Sequence, residues 1–198
     1  MPPRQGTLDR QTVLDTATAQ VDTHGVDTLT VTAVANELGV TQPALYRHVE
    51  GIDDLWRALG LAGREQLADA LAESAIGRSG PEAVHAVAHA WRAFGRRHPG
   101  LYAATDRFPV AGDAELEDAV ERVVEVLASS LRGFGLGEDA LVHGARTLRS
   151  ALHGFVSFEI GDGHPSPHDP AETFEQMIDL LCRGFEAMSG SGTRPDPT

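Results

Sequence analysis

Three features of the sequence predict an all-α fold. Apolar residues recur three and four apart along most of the chain, no stretch alternates apolar with polar as a half-buried strand does, and Gly or Pro interrupts the pattern at helix-sized intervals. There is no internal repeat.

Residues 1–8 read as an arm with one charge, Arg4, either reaching toward phosphate or the minor groove of DNA or simply a loose terminus. Residues 9–24 are predicted helical, with Val13, Ala17 and Val21 on one face. Gly25 ends that helix, and Val26 and Leu29 tuck under the pair of helices that comes next. This pair is predicted from the stretch LTVTAVANELGVTQPALYRH (29–48), which reads as two short helices joined by a tight turn. Thr30 is placed to N-cap the first with its hydroxyl, and Val31, Val34, Ala35 and Leu38 make the apolar face. Gly39 falls where a left-handed residue closes a helix, and Val40 turns back to the core. Thr41 is placed to cap the second helix, whose first turn holds Pro43, where a missing N–H is harmless. Leu45 points inward, leaving Gln42, Pro43, Ala44, Tyr46, Arg47 and His48 outside. Such a helix-turn-helix can lay its second helix in the major groove, or be a plain helical hairpin.

Gly51 breaks the chain, and Asp53 or Asp54 is expected to cap a longer helix to about residue 76, with Leu55, Leu59, Leu67 and Leu71 inward. GRSGP (77–81) is the next break. Pro81 opens a helix to about 98, and Pro99 opens a short one with Leu101 and Tyr102. After a loop at 106–113, a helix over 113–133 sets Leu116, Val120, Val123, Val124 and Leu127 on one stripe. Residues 138–160 are a helix of Leu and small residues, 161–170 a loop, and 170–188 a last helix with Phe174, Met177, Ile178, Leu181 and Phe185. The polar stretch 189–198 is expected to be a disordered tail. The expected organisation is a helix-turn-helix domain with its arm over 1–52, a helical regulatory and dimerisation domain over 53–188, and the tail.

Composition narrows the function classes. A hydrophobic content of 41% suits a globular core. No run of 18 apolar residues exists, so no membrane partner is expected, and MPPRQGT has no apolar secretory segment. A single Cys182 in an apolar pattern reads as a buried small hydrophobe in a reducing, cytoplasmic setting. The formal charge of −13 argues against broad nonspecific binding to nucleic acid, and all 16 basic residues are Arg. Over residues 1–50 three Arg face six acids, so DNA binding has to come from a local face. No Gly-rich phosphate loop, Gly-x-Ser-x-Gly or His-Glu-x-x-His occurs, so an enzyme reading is weak and no cofactor is called for. His85 and His89 have the i, i+4 spacing that lets two imidazoles share a metal. The sequence fixes no third ligand; His98, His143, His153, His164 and His168 are candidates only in space, so the expected reading is polar or pocket-lining histidines and no metal site.

The run GVTQPALYRHVEGIDDLWRAL resembles the recognition helix and following segment of the tetracycline-repressor (TetR) family of bacterial regulators, a likeness specific over residues 9–60. RRHPGLY (96–102) and HGFVSFE (153–159) extend it more loosely. The second resembles a Trp-His-Gly type of ligand-binding domain, with Leu152 standing before His153. The resemblance implies a homodimeric regulator, of the repressor kind, that leaves a palindromic double-stranded operator when a small-molecule effector binds. It implies DNA contacts from Thr30, Thr41, Gln42, Pro43, Tyr46 and His48. Gln42 suits a base edge, Pro43 and Ala44 a thymine methyl, and Thr30, Thr41, Tyr46 and His48 phosphate. Thr32 stands where many relatives carry a guanine-reading Arg, and Ile52 where a phosphate-binding Lys is found in the family; Arg47 is a candidate substitute. Trp91, Phe94, Tyr102, Phe108, His153, Phe155 and Phe158 are expected to line a regulatory cavity or to be core. The two long C-terminal helices suit a four-helix bundle across a two-fold axis, or the completion of the subunit's own core. Leu148, Leu152, Phe174, Met177, Ile178 and Leu181 are the expected interface. A helical small-molecule-binding or interaction protein without useful DNA binding is the alternative.

Overall fold

The structure is a computed structural model that describes residues 8–161, 163 and 167–190. Residues 1–7 of the expected arm (Arg4 among them), His164 and residues 191–198 of the expected tail lie outside the described residues, and the tail's first two residues, 189 and 190, continue the last helix. Among those described there are helices and turns and no strand. In order the helices are α1 (Arg10–His24), α2 (Val31–Glu37), α3 (Gln42–Leu45), α4 (Ile52–Ala75), α5 (Gly80–Arg97), α6 (Pro99–Ala104), α7 (Ala114–Leu131), α8 (Glu138–Ile160) and α9 (Pro170–Gly190). Short 3-10 turns at Val26–Thr28 and Arg132–Phe134 link them.

The chain packs as two compact units. One is Met1–Arg64 with His98–Glu117, the other Glu65–Arg97 with Asp118–Thr198, so the division falls inside α4. In the first unit, α1 buries Val13, Ala17 and Val21, the predicted stripe, against α2 and α6. α6 has only six residues and no cap of its own, since His98 at its N-cap makes no side-chain cap bond. Other helices supply both ends. Asp22 of α1 accepts from the Leu101 N–H at 2.8 Å and pairs with His98 Nδ1 at 3.0 Å. Arg64 of α4 donates to the Thr105 carbonyl at the other end, and to the Gly60 carbonyl at 2.9 Å. An acid at the N-terminus and a cation at the C-terminus both match the helix dipole. The packing is backbone on backbone. A Cβ on Gly100 would lie 2.1 Å from Val21 carbonyl atoms, and one on Gly63 of α4 would lie 3.0 Å from the Leu101 carbonyl oxygen.

In the second unit, α5 packs on α8 and α9. Its Val84, Val87, Ala88 and Trp91 are buried, as are Leu148, Leu152 and Phe155 of α8 and Phe174, Ile178 and Phe185 of α9. Cys182 is buried too, and burial pushes its thiol pKa up to about 11, which makes it an inert apolar side chain. Between α5 and α8, Arg92 and Glu159 form a part-buried ion pair with contacts of 2.5 to 3.2 Å. The Arg92 guanidinium lies 4.8 Å from the Phe174 ring centroid. Leu148, Leu152, Phe174 and Ile178, four of the six expected interface residues, have no exposed surface in the single chain. Their stripe is the one that faces the subunit's own core. Met177 and Leu181 are half-buried. The apolar side chains that α8 and α9 do present outward are Val142, Phe158, Leu180 and Met188.

Candidate nucleic-acid interface

Local chemistry builds the helix-turn-helix. Thr30 Oγ1 accepts from the Ala33 N–H at 3.0 Å and caps α2 as expected. At the other end Gly39 takes φ +66°, its N–H donates to Asn36 C=O at 3.1 Å, and the Val40 N–H reaches Ala35 C=O at 3.0 Å. That bond pair is the Schellman closure, which needs a left-handed residue and so favours Gly. Thr41 is the residue before α3, yet its hydroxyl makes no cap bond; only its carbonyl begins the helix, accepting from Ala44 and Leu45. The predicted second helix is also shorter than its pattern suggests. Regular α geometry covers Gln42–Leu45, and tighter turns carry Tyr46 to Val49, with His48 N–H donating to Leu45 C=O at 2.8 Å. The cap expected from Asp53 or Asp54 falls on neither, because α4 begins at Ile52. Asp54 instead sits inside the first turn and reaches back to the Glu50 N–H at 3.0 Å.

Leu45 and Val49 are buried and anchor the segment. Thr30, Thr32, Thr41, Gln42, Pro43, Tyr46 and Arg47 are exposed, and Ala44 and His48 are half-buried. Gln42 does not hang free: its Nε2 donates to Thr32 Oγ1 at 2.7 Å, linking α3 to α2. The bond fixes the amide's direction and leaves its carbonyl and second N–H for a base edge. Thr32 thus supports Gln42.

Arg10 is a residue whose role the sequence concealed. From α1 it donates to the His48 carbonyl at 2.8 Å and, with both terminal nitrogens, to Asp54 at 2.8 and 2.6 Å. The guanidinium holds the Asp54 carboxyl below its usual pKa of 3.8. Asp113 is likewise lowered by Arg57, which also binds Glu115. One of the three N-terminal Arg is therefore committed to holding the recognition segment between α1 and α4. Arg47 has no ion-pair partner among the described residues, so it is the cation on this face available to a phosphate.

The expected ligand residues fall in different units. Trp91, Phe94 and Phe155 are buried in the second unit, where Phe155 and Phe174 rings are 5.0 Å apart. His153 is half-buried and Phe158 is 61% exposed. Tyr102 is buried and Phe108 half-buried in the first unit.

A supported helix-turn-helix with an outward polar face, followed by a larger helical unit, defines a DNA-binding transcriptional regulator. Comparison with known proteins agrees. Residues 13–59 match the family described as bacterial regulatory proteins, tetR family, and residues 84–181 match the tetracyclin repressor-like C-terminal domain. The HTH-type transcriptional regulator Rv0681 of Mycobacterium tuberculosis is 33% identical over 194 residues, 96% of this chain and 87% of that protein. YobS of Bacillus subtilis, of the same description, is 31% identical over 93% of this chain and 96% of its own. The structure of SCO7222, a TetR from Streptomyces coelicolor, shares the fold with a TM-score of 0.71 at 21% identity, over 92% of this chain and 99% of that one. The chain belongs to the TetR family of bacterial transcriptional regulators.

Proposed function

We propose that the protein is a cytoplasmic, homodimeric repressor that binds a palindromic DNA operator and leaves it when a small-molecule effector binds. The observation that carries this reading is the Gln42–Thr32 hydrogen bond, which holds a base-reading amide on the exposed face of α3. Gln42 reads a base, preferably the N6/N7 edge of adenine; Pro43 and Ala44 touch a thymine methyl; Thr30, Thr41, Tyr46, Arg47 and His48 serve phosphates. In this reading DNA binding belongs to residues 1–52 and regulation to residues within 53–188, although residues 53–64 and 98–117 pack with the N-terminal unit. No described helix is long and apolar enough to cross a membrane.

A second copy supplies the other half-site. The outward apolar side chains of α8 and α9, Leu180 (65% exposed), Val142 (51%) and Met188 (42%), support an interface formed by these helices. The effector is taken by Trp91, Phe94, Phe155 and Phe158 with His153, all of the second unit, in a regulatory domain of the Trp-His-Gly type with Leu152 in the place of Trp; Tyr102 and Phe108 belong to the first unit. Release follows as a coupling free energy, the effector favouring a dimer geometry that no longer matches two half-sites. One observation favours the alternative of a helical binding protein without useful DNA contacts: Arg10 is tied up internally, which leaves fewer cations in an N-terminal segment where acids already outnumber Arg. Selection from a random duplex library tests the proposal. An enriched inverted repeat, released in a subsequent small-molecule screen, supports it; a pool with no enriched palindrome favours the alternative.

A further inference from the structure

The two histidines spaced four apart on α5 meet their missing ligand on α9. One nitrogen each from His85 and His89 and one carboxylate oxygen of Glu175 lie within 4.8 Å of one another. His89 Nε2 is 3.2 Å from Glu175 Oε1, and His85 Nε2 is 3.3 Å from Asp179 Oδ1. His-x-x-x-His on one helix thus faces Glu-x-x-x-Asp on its neighbour, both at the one-turn spacing that puts side chains on a common face. We infer that these four side chains form a binding site for a divalent transition cation of the zinc class, which would clamp α5 to α9.

The donor set is two imidazoles and two carboxylates, the mixture that borderline first-row ions prefer and that magnesium and calcium, which favour oxygen alone, do not. The distances suit such an ion. Tetrahedral bonds of about 2.0–2.1 Å place neighbouring donors about 3.3 Å apart, the separation already present in the two imidazole–carboxylate contacts. His85, His89 and Glu175 need only side-chain rotation to close from within 4.8 Å to that distance, and Asp179 joins through its 3.3 Å contact with His85 Nε2, since all four residues are partly or fully exposed. Charge is balanced, because two carboxylates neutralise a dication. Arg92, one turn further along α5, is committed to Glu159, and Arg183 of α9 donates to the Asp179 backbone carbonyl at 3.2 Å. His89 is steadied by the Phe174 ring, edge-on at 5.7 Å, which restricts the imidazole before any ion arrives. The sequence pattern showed the His pair alone; the acids come from a helix some 90 residues downstream.

Calorimetric titration of tag-free, EDTA-stripped, full-length protein with zinc chloride tests the site. The expected result is one zinc ion per subunit, with binding weakened at least tenfold in His89→Ala and in Glu175→Gln, and unchanged in His143→Ala, whose histidine is exposed on α8 outside the cluster. Zinc should raise the melting temperature of the wild type and not of the two variants, because the clamp joins two helices. Magnesium chloride should give no comparable binding. Glu175→Gln alters an exposed side chain, so it decides the matter even if His89→Ala disturbs folding. The inference is overturned by no stoichiometric zinc binding, by equal affinity in Glu175→Gln, or by magnesium competing at equal concentration.

Discussion

Replacing Gly100 with Ala tests whether α6 is held where the first unit requires it. The added Cβ would lie 2.1 Å from the Val21 carbonyl carbon and oxygen and 2.6 Å from the Asp22 nitrogen. All three are backbone atoms of α1, so no side chain can swing aside. Carbon atoms rest at about 3.5 Å or more, so α6 must retreat by about 1.4 Å. Such a shift stretches the Asp22 contacts to Leu101 N–H and His98 Nδ1, now 2.8 and 3.0 Å, beyond hydrogen-bonding range. Overpacking costs about 1–3 kcal/mol, and a hydrogen bond to a charged group contributes about 1.5–3 kcal/mol. Allowing one Asp22 contact to re-form, the loss is about 3–5 kcal/mol, a large part of the roughly 5–15 kcal/mol that holds a domain folded. For a chain of this size that is a fall of about 6–20 °C in melting temperature. The assay is a far-UV circular dichroism melt beside Gly137→Ser, a change at an N-cap with nothing within 4 Å, which should leave stability within a few tenths of a kcal/mol. If Gly100→Ala melts within about 2 °C of wild type, the close approach of α6 to α1 is not as described.

Four other outcomes rest on individual contacts of the structure. Gln42→Ala should weaken specific DNA binding by about 1–3 kcal/mol and relax one position per half-site, and Thr32→Val should be non-additive with it because the two share one hydrogen bond; fluorescence anisotropy on the selected duplex reads both. Leu180→Arg should give a folded monomer by light scattering, since the side chain lies outside the subunit's core; a dimer with normal operator affinity places the interface elsewhere. Glu159→Leu should cost about 3–5 kcal/mol in urea unfolding, by leaving the 11% exposed Arg92 guanidinium without its carboxylate, while the double variant Arg92→Met/Glu159→Leu stays close to wild type; equal losses in the two would refute this account of the pair. Stability should fall as pH drops through and below the ordinary carboxylate range, because Asp54 and Asp113 have lowered pKa values when folded and so favour the folded state only while ionised. Asp54→Asn should flatten that slope between pH 5 and pH 3, and an unchanged slope in urea titrations would show that the Arg10 pair does not contribute.

The parts of the fold that the sequence disclosed are those determined within a turn or two of chain. Thr30 and Gly39 act on residues at most five positions away, so the start and stop of α2 could be read directly. Helical periodicity likewise found the buried stripes of α1, α8 and α9. It does not say what covers a stripe, which is why Leu148, Leu152, Phe174 and Ile178 read equally well as an interface and as core. The rest depends on chain segments meeting at long range. Arg10 finds Asp54 across 44 residues and Asp22 finds Leu101 across 79, and neither residue has a local pattern that marks it. A hint was present at Pro99: a helix opened by Pro after a His that cannot cap it needs an acceptor from elsewhere. The recognition helix was over-extended for the opposite reason, because Tyr46 to His48 fit a helical pattern but the backbone tightens to bring Val49 into the core.

Because Asp22 supplies the cap that α6 lacks, the first unit is not a module that can be lifted out by cutting the chain after the helix-turn-helix. A fragment ending at residue 64 has every residue of α1 to α3 and yet loses the segment that covers Val21. The same holds during synthesis. The early helices emerge from the ribosome well before His98 to Leu101, and Asp22 must wait for 76 further residues before its carboxylate has its partner His98, and for 79 before it has the Leu101 N–H. Chimeras that exchange regulatory domains within the family would carry this dependence with them. A junction drawn by sequence order alone would pair α1 from one parent with α6 from another, and the backbone contact at Gly100 tolerates no side chain on the incoming helix.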